Sequence, residues 1–203
     1  MPVTYVGFSS KREQLAKAAM ASVSHLLGTV VTQTRSLSAP SASSSVSKVN
    51  AKTAFKSFFG ANSPATVASH YGYIKSAAVD ALTVEYDGAE LGAKAYIFTS
   101  CKAPAPGGAF TAKLYLCPPL FDSYSVLGTN STLGTIIHEL SHLAVSTVDH
   151  KYGMKRVVET LTDSQKLTNA DNYKYYAEVF QFRGFEMRAL SDAYDAYTMP
   201  PKS

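Results

Sequence analysis

Residues 134–153 read GTIIHELSHLAVSTVDHKYG, and the pentapeptide HELSH inside them constrains this chain more than any other stretch. Positions four apart on an α-helix lie one turn apart on the same face, so His138 and His142 can grip a single ion. Zinc takes neutral imidazole nitrogens, prefers four ligands and leaves one position to water in a catalytic site. Glu139, between the two, projects beside such an ion. There it can take a proton from an attacking water and pass it to a leaving amine. The other face of the helix is apolar (Ile136, Ile137, Leu140, Leu143), so the histidines would be half-buried and in need of a partner, which a metal supplies. Ser131 or Thr132 can cap the helix, which the spacing predicts over 131–145. The plainer alternative is a helix with two structural histidines.

Two histidines leave a zinc site one protein ligand short. A His, Glu or Asp must therefore return to the ion after the helix ends. The elongated HExxHxxGxxH pattern is absent, because Val148 stands six residues past His142. Asp149 and His150 come after it, with Asp149 the preferred ligand and His150 its rival. Tyr152 comes next, able to hydrogen-bond the oxyanion of a tetrahedral intermediate, and Gly153 allows a tight turn. His25 and His70 read as ordinary surface or core histidines. The segment APAPGGA (103–109) is a turn and not a phosphate loop, since it has no GK[ST] ending and opens no helix.

The remaining sequence frames this site. A length of 203 residues suits one compact domain over 1–203, and 46% apolar with 17% charged residues gives a globular core. The net charge of +4 is spread over scattered Lys and Arg, which is no footprint for nucleic acid. No run of 18 apolar residues predicts a membrane span, and MPVTYVGFSSKREQ lacks the charged-then-apolar pattern of a leader. Helices are expected over 9–28 (stopped by Gly28), 51–60, 63–82, 154–162 and 171–196, and strands over 82–87, 94–100 and 112–118. Strands grouped in the middle with helices around them indicate an α+β fold, mostly helical with a small central sheet. The Ser-rich stretch 35–50 reads as a flexible connection. Cys101 and Cys117 permit one disulfide, or two buried thiols.

The pairing of HELSH with STVDHKYG resembles the aspzincin metallopeptidases, the family of deuterolysin and the fungal peptidyl-Lys metalloendopeptidases. TYVGFSSKREQLAKA, FFGANSPATVASHYGYI, KLYLCPPLF and NADNYKYYAE resemble further segments of that family, so the likeness spans most of the chain. The resemblance implies a zincin-like fold and a secreted, monomeric zinc endopeptidase acting on proteins or peptides with one zinc ion. It implies His138, His142 and Asp149 as ligands, Glu139 as general base and acid, and Tyr152 as an aid to catalysis. It also implies Asp171 as a substrate contact, although an N-cap for a helix starting near Asn172 is an equally ready role. The chain departs from the family pattern at Phe8, where a cysteine is usual, at Ser146, where the family has glycine, and at Lys174. Lys174 replaces the second acid of a pair that holds the substrate lysine, and a cation there would repel it. Cys117 falls on a familiar position and Cys101 does not. Two alternatives accompany this reading: a catalytically silent zinc-binding effector of the same fold, and export without a classical signal peptide.

Overall fold

A computed structural model describes residues 3–38, 46–80, 82–97, 113–122 and 128–181. Strand β1 (Thr4–Val6) leads into three helices, α1 (Ser10–Ser36), α2 (Val46–Phe59) and α3 (Pro64–Val79). Strands β2 (Thr83–Tyr86), β3 (Ala95–Ile97) and β4 (Lys113–Leu116) come next. The chain then forms α4 (Pro118–Asp122), α5 (Thr132–Val145), α6 (Met154–Glu159), α7 (Asp163–Thr168) and α8 (Ala170–Glu178), and a short 3-10 turn at Val179–Gln181. The fold is α+β, as the grouping of strands between helices predicts.

The four strands form one mixed sheet in the order β1-β2-β4-β3. β1, β2 and β4 run parallel, and β3 pairs antiparallel with β4 through Ala95–Leu116, Tyr96–Tyr115 and Ile97–Leu114. Alternation along the strands buries Val84, Ala95, Ile97, Leu114 and Leu116, which belong to the common core. β3 forms one edge of this sheet and packs against α5. On the helical side, Phe55, Phe58, Phe59, Tyr71, Tyr173 and Tyr176 make an aromatic cluster, with the Phe59 ring 5.2 Å from Tyr173 and 5.3 Å from Tyr176.

Three expectations change. Helix α1 does not stop at Gly28 but runs on to Ser36. Its buried stripe, Ala16, Ala19, Met20, Val23, Leu26 and Leu27, continues through Val30 and Thr34. Continued burial against α3 outweighs the roughly 1 kcal/mol that a glycine costs inside a helix. By length and composition alone α1 could cross a membrane, with a mean hydropathy of 1.3 over its most apolar window, but here its apolar stripe lies in the protein core. The Ser-rich connection is shorter than expected: residues 35–36 end α1 and 46–50 begin α2, while 39–45 lie outside the described residues. β1, α4 and α7 are additional. β1 is too short to show a period, and its pairing is set by the partner strand, with Thr4 N–H donating to Leu82 O at 3.0 Å. Helix α7 carries a capping box of Thr162 and Gln165. Cys117 is buried and Cys101 lies outside the described residues, as do residues 182–196 of the expected last helix.

Candidate metal centre

Helix α5 starts where expected. Ser131 caps it by accepting the Gly134 N–H at 2.9 Å, and Ile136, Ile137, Leu140 and Leu143 bury the face opposite the polar groups. The helix ends at Ser146, which adopts the left-handed conformation (φ 55°) and reverses the chain. The residues after Ser146 are pinned at once. Thr147 is buried, with its hydroxyl 2.7 Å from Ser141 Oγ. Val148 forms a short parallel bridge to Asn169, its N–H donating to Thr168 O at 2.8 Å and its carbonyl accepting the Ala170 N–H at 3.1 Å. This reversal carries Asp149 back onto the helix face that bears the two histidines.

His138, His142 and Asp149 each offer a donor atom, and the three atoms lie within 4.8 Å of one another. His138 Nε2 is 3.2 Å from His142 Nε2 and 3.2 Å from Asp149 Oδ1, and His142 Nε2 is 3.5 Å from the same oxygen. Hydrogen bonds at the far side of each ring decide which nitrogen carries the proton. His142 Nδ1 lies 2.8 Å from the carbonyl oxygen of Thr147, which can only accept. His138 Nδ1 lies 2.8 Å from Asp171 Oδ1 and donates to that carboxylate. In the neutral rings both Nε2 atoms are therefore bare lone pairs, facing each other and a carboxylate oxygen. Such convergence is repulsive unless a cation sits between them. The spacing suits zinc: ligand atoms about 2.0–2.1 Å from a tetrahedral ion stand about 3.3 Å apart. The donor set thus fits zinc, which His138, His142 and Asp149 would hold.

The electrostatics agree. Burial holds His142 below its ordinary pKa, which keeps it in the neutral, ligating form. Burial also works against charge on His138, but Asp149 and Asp171 outweigh it and lift that ring to about 9, so a proton and a metal ion compete for one lone pair. Burial would raise Asp149, yet hydrogen bonds from His138 and Tyr152 hold it at about 2. Glu139 stands 4.0 Å from His138 Nε2, and its burial raises the carboxyl to about 7, with Asp149 adding to this and His138 opposing it. A base with that proton affinity suits work near neutral pH. Tyr152 is 59% exposed and lies with its ring nearly parallel to that of His138 at 6.1 Å. Burial and the Asp149 charge raise its pKa, so its hydroxyl remains a donor.

All of these groups line one cleft of about 670 Å³, walled by residues 92–97 and floored by Asp171 and Lys174. Asp171 is 2% exposed and does not cap its helix, since the residue preceding α8 is Asn169. Its Oδ1 accepts from His138, and its Oδ2 accepts the Gly153 N–H at 2.9 Å. Both oxygens are thus turned to the protein, as a support for the His138 ring. His150 points elsewhere, with Nε2 3.0 Å from Thr168 Oγ1. His25 is exposed, and His70 Nδ1 lies 2.6 Å from the Tyr173 hydroxyl, far from any metal role.

A profile of the aspzincin family, described as lysine-specific metallo-endopeptidase, matches residues 44–178, more than half of the chain. The chain belongs to the aspzincin family. Among similar proteins, a peptidyl-Lys metalloendopeptidase of Grifola frondosa is 29% identical over 184 residues, covering 87% of this chain and 47% of that protein. An extracellular protease of Aeromonas hydrophila is 47% identical over 70 residues, 32% of this chain and 20% of the relative. The chain thus spans less than half the length of these two curated relatives. The structure of a zinc peptidase from Grifola frondosa superposes with a TM-score of 0.65 at 21% identity, covering 84% of this chain and 96% of that one, and shows the same fold.

Several residues of this aspzincin escape a reading of its sequence. Asn169 is fully buried and grips the backbone of Lys151 at both ends, Lys151 N–H to Oδ1 at 3.1 Å and Nδ2 to Lys151 O at 3.2 Å, which fixes the segment between Asp149 and Tyr152. Asn172 anchors Asn169 at 2.7 Å and reaches Phe58 O at 2.6 Å. Glu178 accepts the Ser131 N–H at 2.9 Å and the Ser131 hydroxyl at 3.0 Å at the start of α5. The two asparagines and the glutamate all lie in NADNYKYYAE, a polar run that becomes wholly buried. Polar residues recurring along a helix with no exposed face were the available signal.

Proposed function

We propose that this chain is a zinc-dependent endopeptidase that hydrolyses peptide bonds in proteins, acting as a single domain. The observation that carries this is the convergence of three donor atoms, His138 Nε2, His142 Nε2 and Asp149 Oδ1, beside the buried carboxyl of Glu139. Zinc bound at these donors supplies a Lewis acid that makes a water nucleophilic near neutral pH and polarises the scissile carbonyl. Asp171 holds the His138 proton on Nδ1 and Thr147 O holds that of His142, which keeps both Nε2 atoms in the ligating form. Glu139 takes the proton of the attacking water and returns it to the departing amine. The Tyr152 hydroxyl, kept protonated, donates to the negative charge developing on the carbonyl oxygen. β3 at the edge of the sheet supports an extended substrate adding to it as a further strand. The name of the Aeromonas relative, an extracellular protease, supports an extracellular setting. We assign Asp171 to positioning His138 in place of contacting substrate.

Zinc content and casein cleavage of the wild-type chain and of Glu139→Gln test this. The expected result is about one zinc per chain in both proteins, with cleavage lowered by about 10²-fold or more in the variant. Stoichiometric zinc without cleavage by the wild-type chain would replace the reading with a silent zinc-binding module. Absence of zinc would remove both.

A further inference from the structure

Two cations, Lys94 and Lys174, line the cleft that holds the metal group. They differ in how they are held. Lys94 lies half-buried on the segment before β3. Lys174, on α8, is 9% exposed and built into the floor. Its ammonium donates to Asn130 Oδ1 at 2.7 Å and lies 4.8 Å from the centre of the Tyr175 ring. The Tyr175 hydroxyl donates to the same Asn130 oxygen at 3.1 Å, and Asn130 takes a left-handed backbone (φ 57°) to present it.

Asp171 offsets this charge only in part. Its Oδ1 lies 3.6 Å from Lys174 Nζ, beyond a full hydrogen bond, and is already committed to His138 Nδ1 at 2.8 Å. The Asp171 side chain is also the less accessible of the two, 3% exposed against 11%. The group that meets a substrate at this end of the cleft is therefore an ammonium with N–H capacity left after Asn130. Its conformational entropy is already lost to Asn130 and Tyr175, so a new partner pays little to order it.

We propose that Lys174 forms the floor of a substrate subsite that takes the carboxylate side chain of an aspartate or glutamate flanking the scissile bond, and turns away lysine and arginine. This rests on the endopeptidase reading above. A charge-assisted hydrogen bond in a half-buried cleft favours a carboxylate, whereas a second ammonium would meet a fixed like charge with little water between them. The chain would then differ in selectivity from the relative named a peptidyl-Lys metalloendopeptidase.

The test is equilibrium binding, by fluorescence anisotropy, of extended peptides to zinc-loaded full-length Glu139→Gln protein. Glu, Gln or Lys is placed at each peptide position in turn. The expected result is one position at which Glu binds about tenfold or more tightly than Gln, and Lys more weakly than Gln. Adding Lys174→Met should bring the Glu-to-Lys ratio at that position close to one, and Lys174→Glu should reverse it. Lys binding as tightly as Glu at every position overturns the proposal, and so does a Glu preference that survives Lys174→Met. Where a substitution at 174 prevents folding, Lys94→Met decides instead: a Glu preference that is lost with Lys94 overturns the proposal. Cleavage of the same peptides by the wild-type chain is scored separately. No cleavage refutes the endopeptidase reading, while the binding ratios still decide the subsite.

Discussion

Asp171 is the residue whose role the tertiary structure redefines. It sits 33 positions from His138 in the chain, yet it sets which nitrogen of that ring is free to ligate. Removing the carboxylate by Asp171→Ala lets the ring turn and change tautomer. Zinc affinity, measured by competition with a chelating dye, should fall about 10–100-fold. An unchanged affinity would make Asp171 dispensable to the metal group. Ser146 offers a second residue-scale test. A side chain at φ 55° is strained, and glycine is free to adopt that backbone. Ser146→Gly should therefore stabilise the chain against urea by roughly 0.5–1 kcal/mol, with zinc binding intact. A loss of stability would mean that the Ser146 hydroxyl contributes more than its backbone costs.

At the scale of elements, the contact of α5 with α8 governs the site. α5 carries His138, Glu139 and His142, and α8 carries Asp171, Lys174 and Glu178. The two helices approach so closely at Gly134 that a Cβ there would run into the Glu178 carboxylate. Burial pushes Glu178 up to about 7, against the pull of Lys174 and the donors of Ser131. The folded chain then holds a proton that the unfolded chain, at an ordinary value near 4.5, releases. Between those two values the native state binds more protons, so stability is lost as pH rises through the window, by up to about 3 kcal/mol for this one group. Thermal melts from pH 4.5 to 7.5 should decline less steeply for Glu178→Gln than for the wild-type chain. Parallel curves would show that Glu178 does not titrate there. Glu139 titrates in the same window and cancels in the comparison.

For the whole molecule, a metal held by His138, His142 and Asp149 adds a further tie between parts that already pack together. Its donors come from α5 and from the segment returning after Ser146, and through His138 and Asp171 it reaches α8. A ligand at about a hundred times its dissociation constant stabilises the folded state by about 2.7 kcal/mol. For a chain of this size, zinc should raise the melting temperature by roughly 5–10 °C over chelator-treated protein. Asp149→Ala should not respond to zinc. An equal response would place the ion elsewhere.

The linear pattern alone was enough to put His138 and His142 on one face of a helix, because a four-residue repeat is a local property of helix geometry and needs no knowledge of the rest of the chain. Asp149 was within reach for a related reason: it stands close enough to the helix end that one left-handed residue returns it. The α+β class came from period changes along the chain. Packing decided the remainder. The sequence could not say that α1 passes through Gly28, since α3 provides the burial that carries the helix onward. Nor could it pair Asp171 with His138, or Glu178 with Ser131 across 47 positions. Those partners meet because the apolar faces of α5 and α8 pack together, and such packing is a property of the folded whole that no local stretch of residues contains.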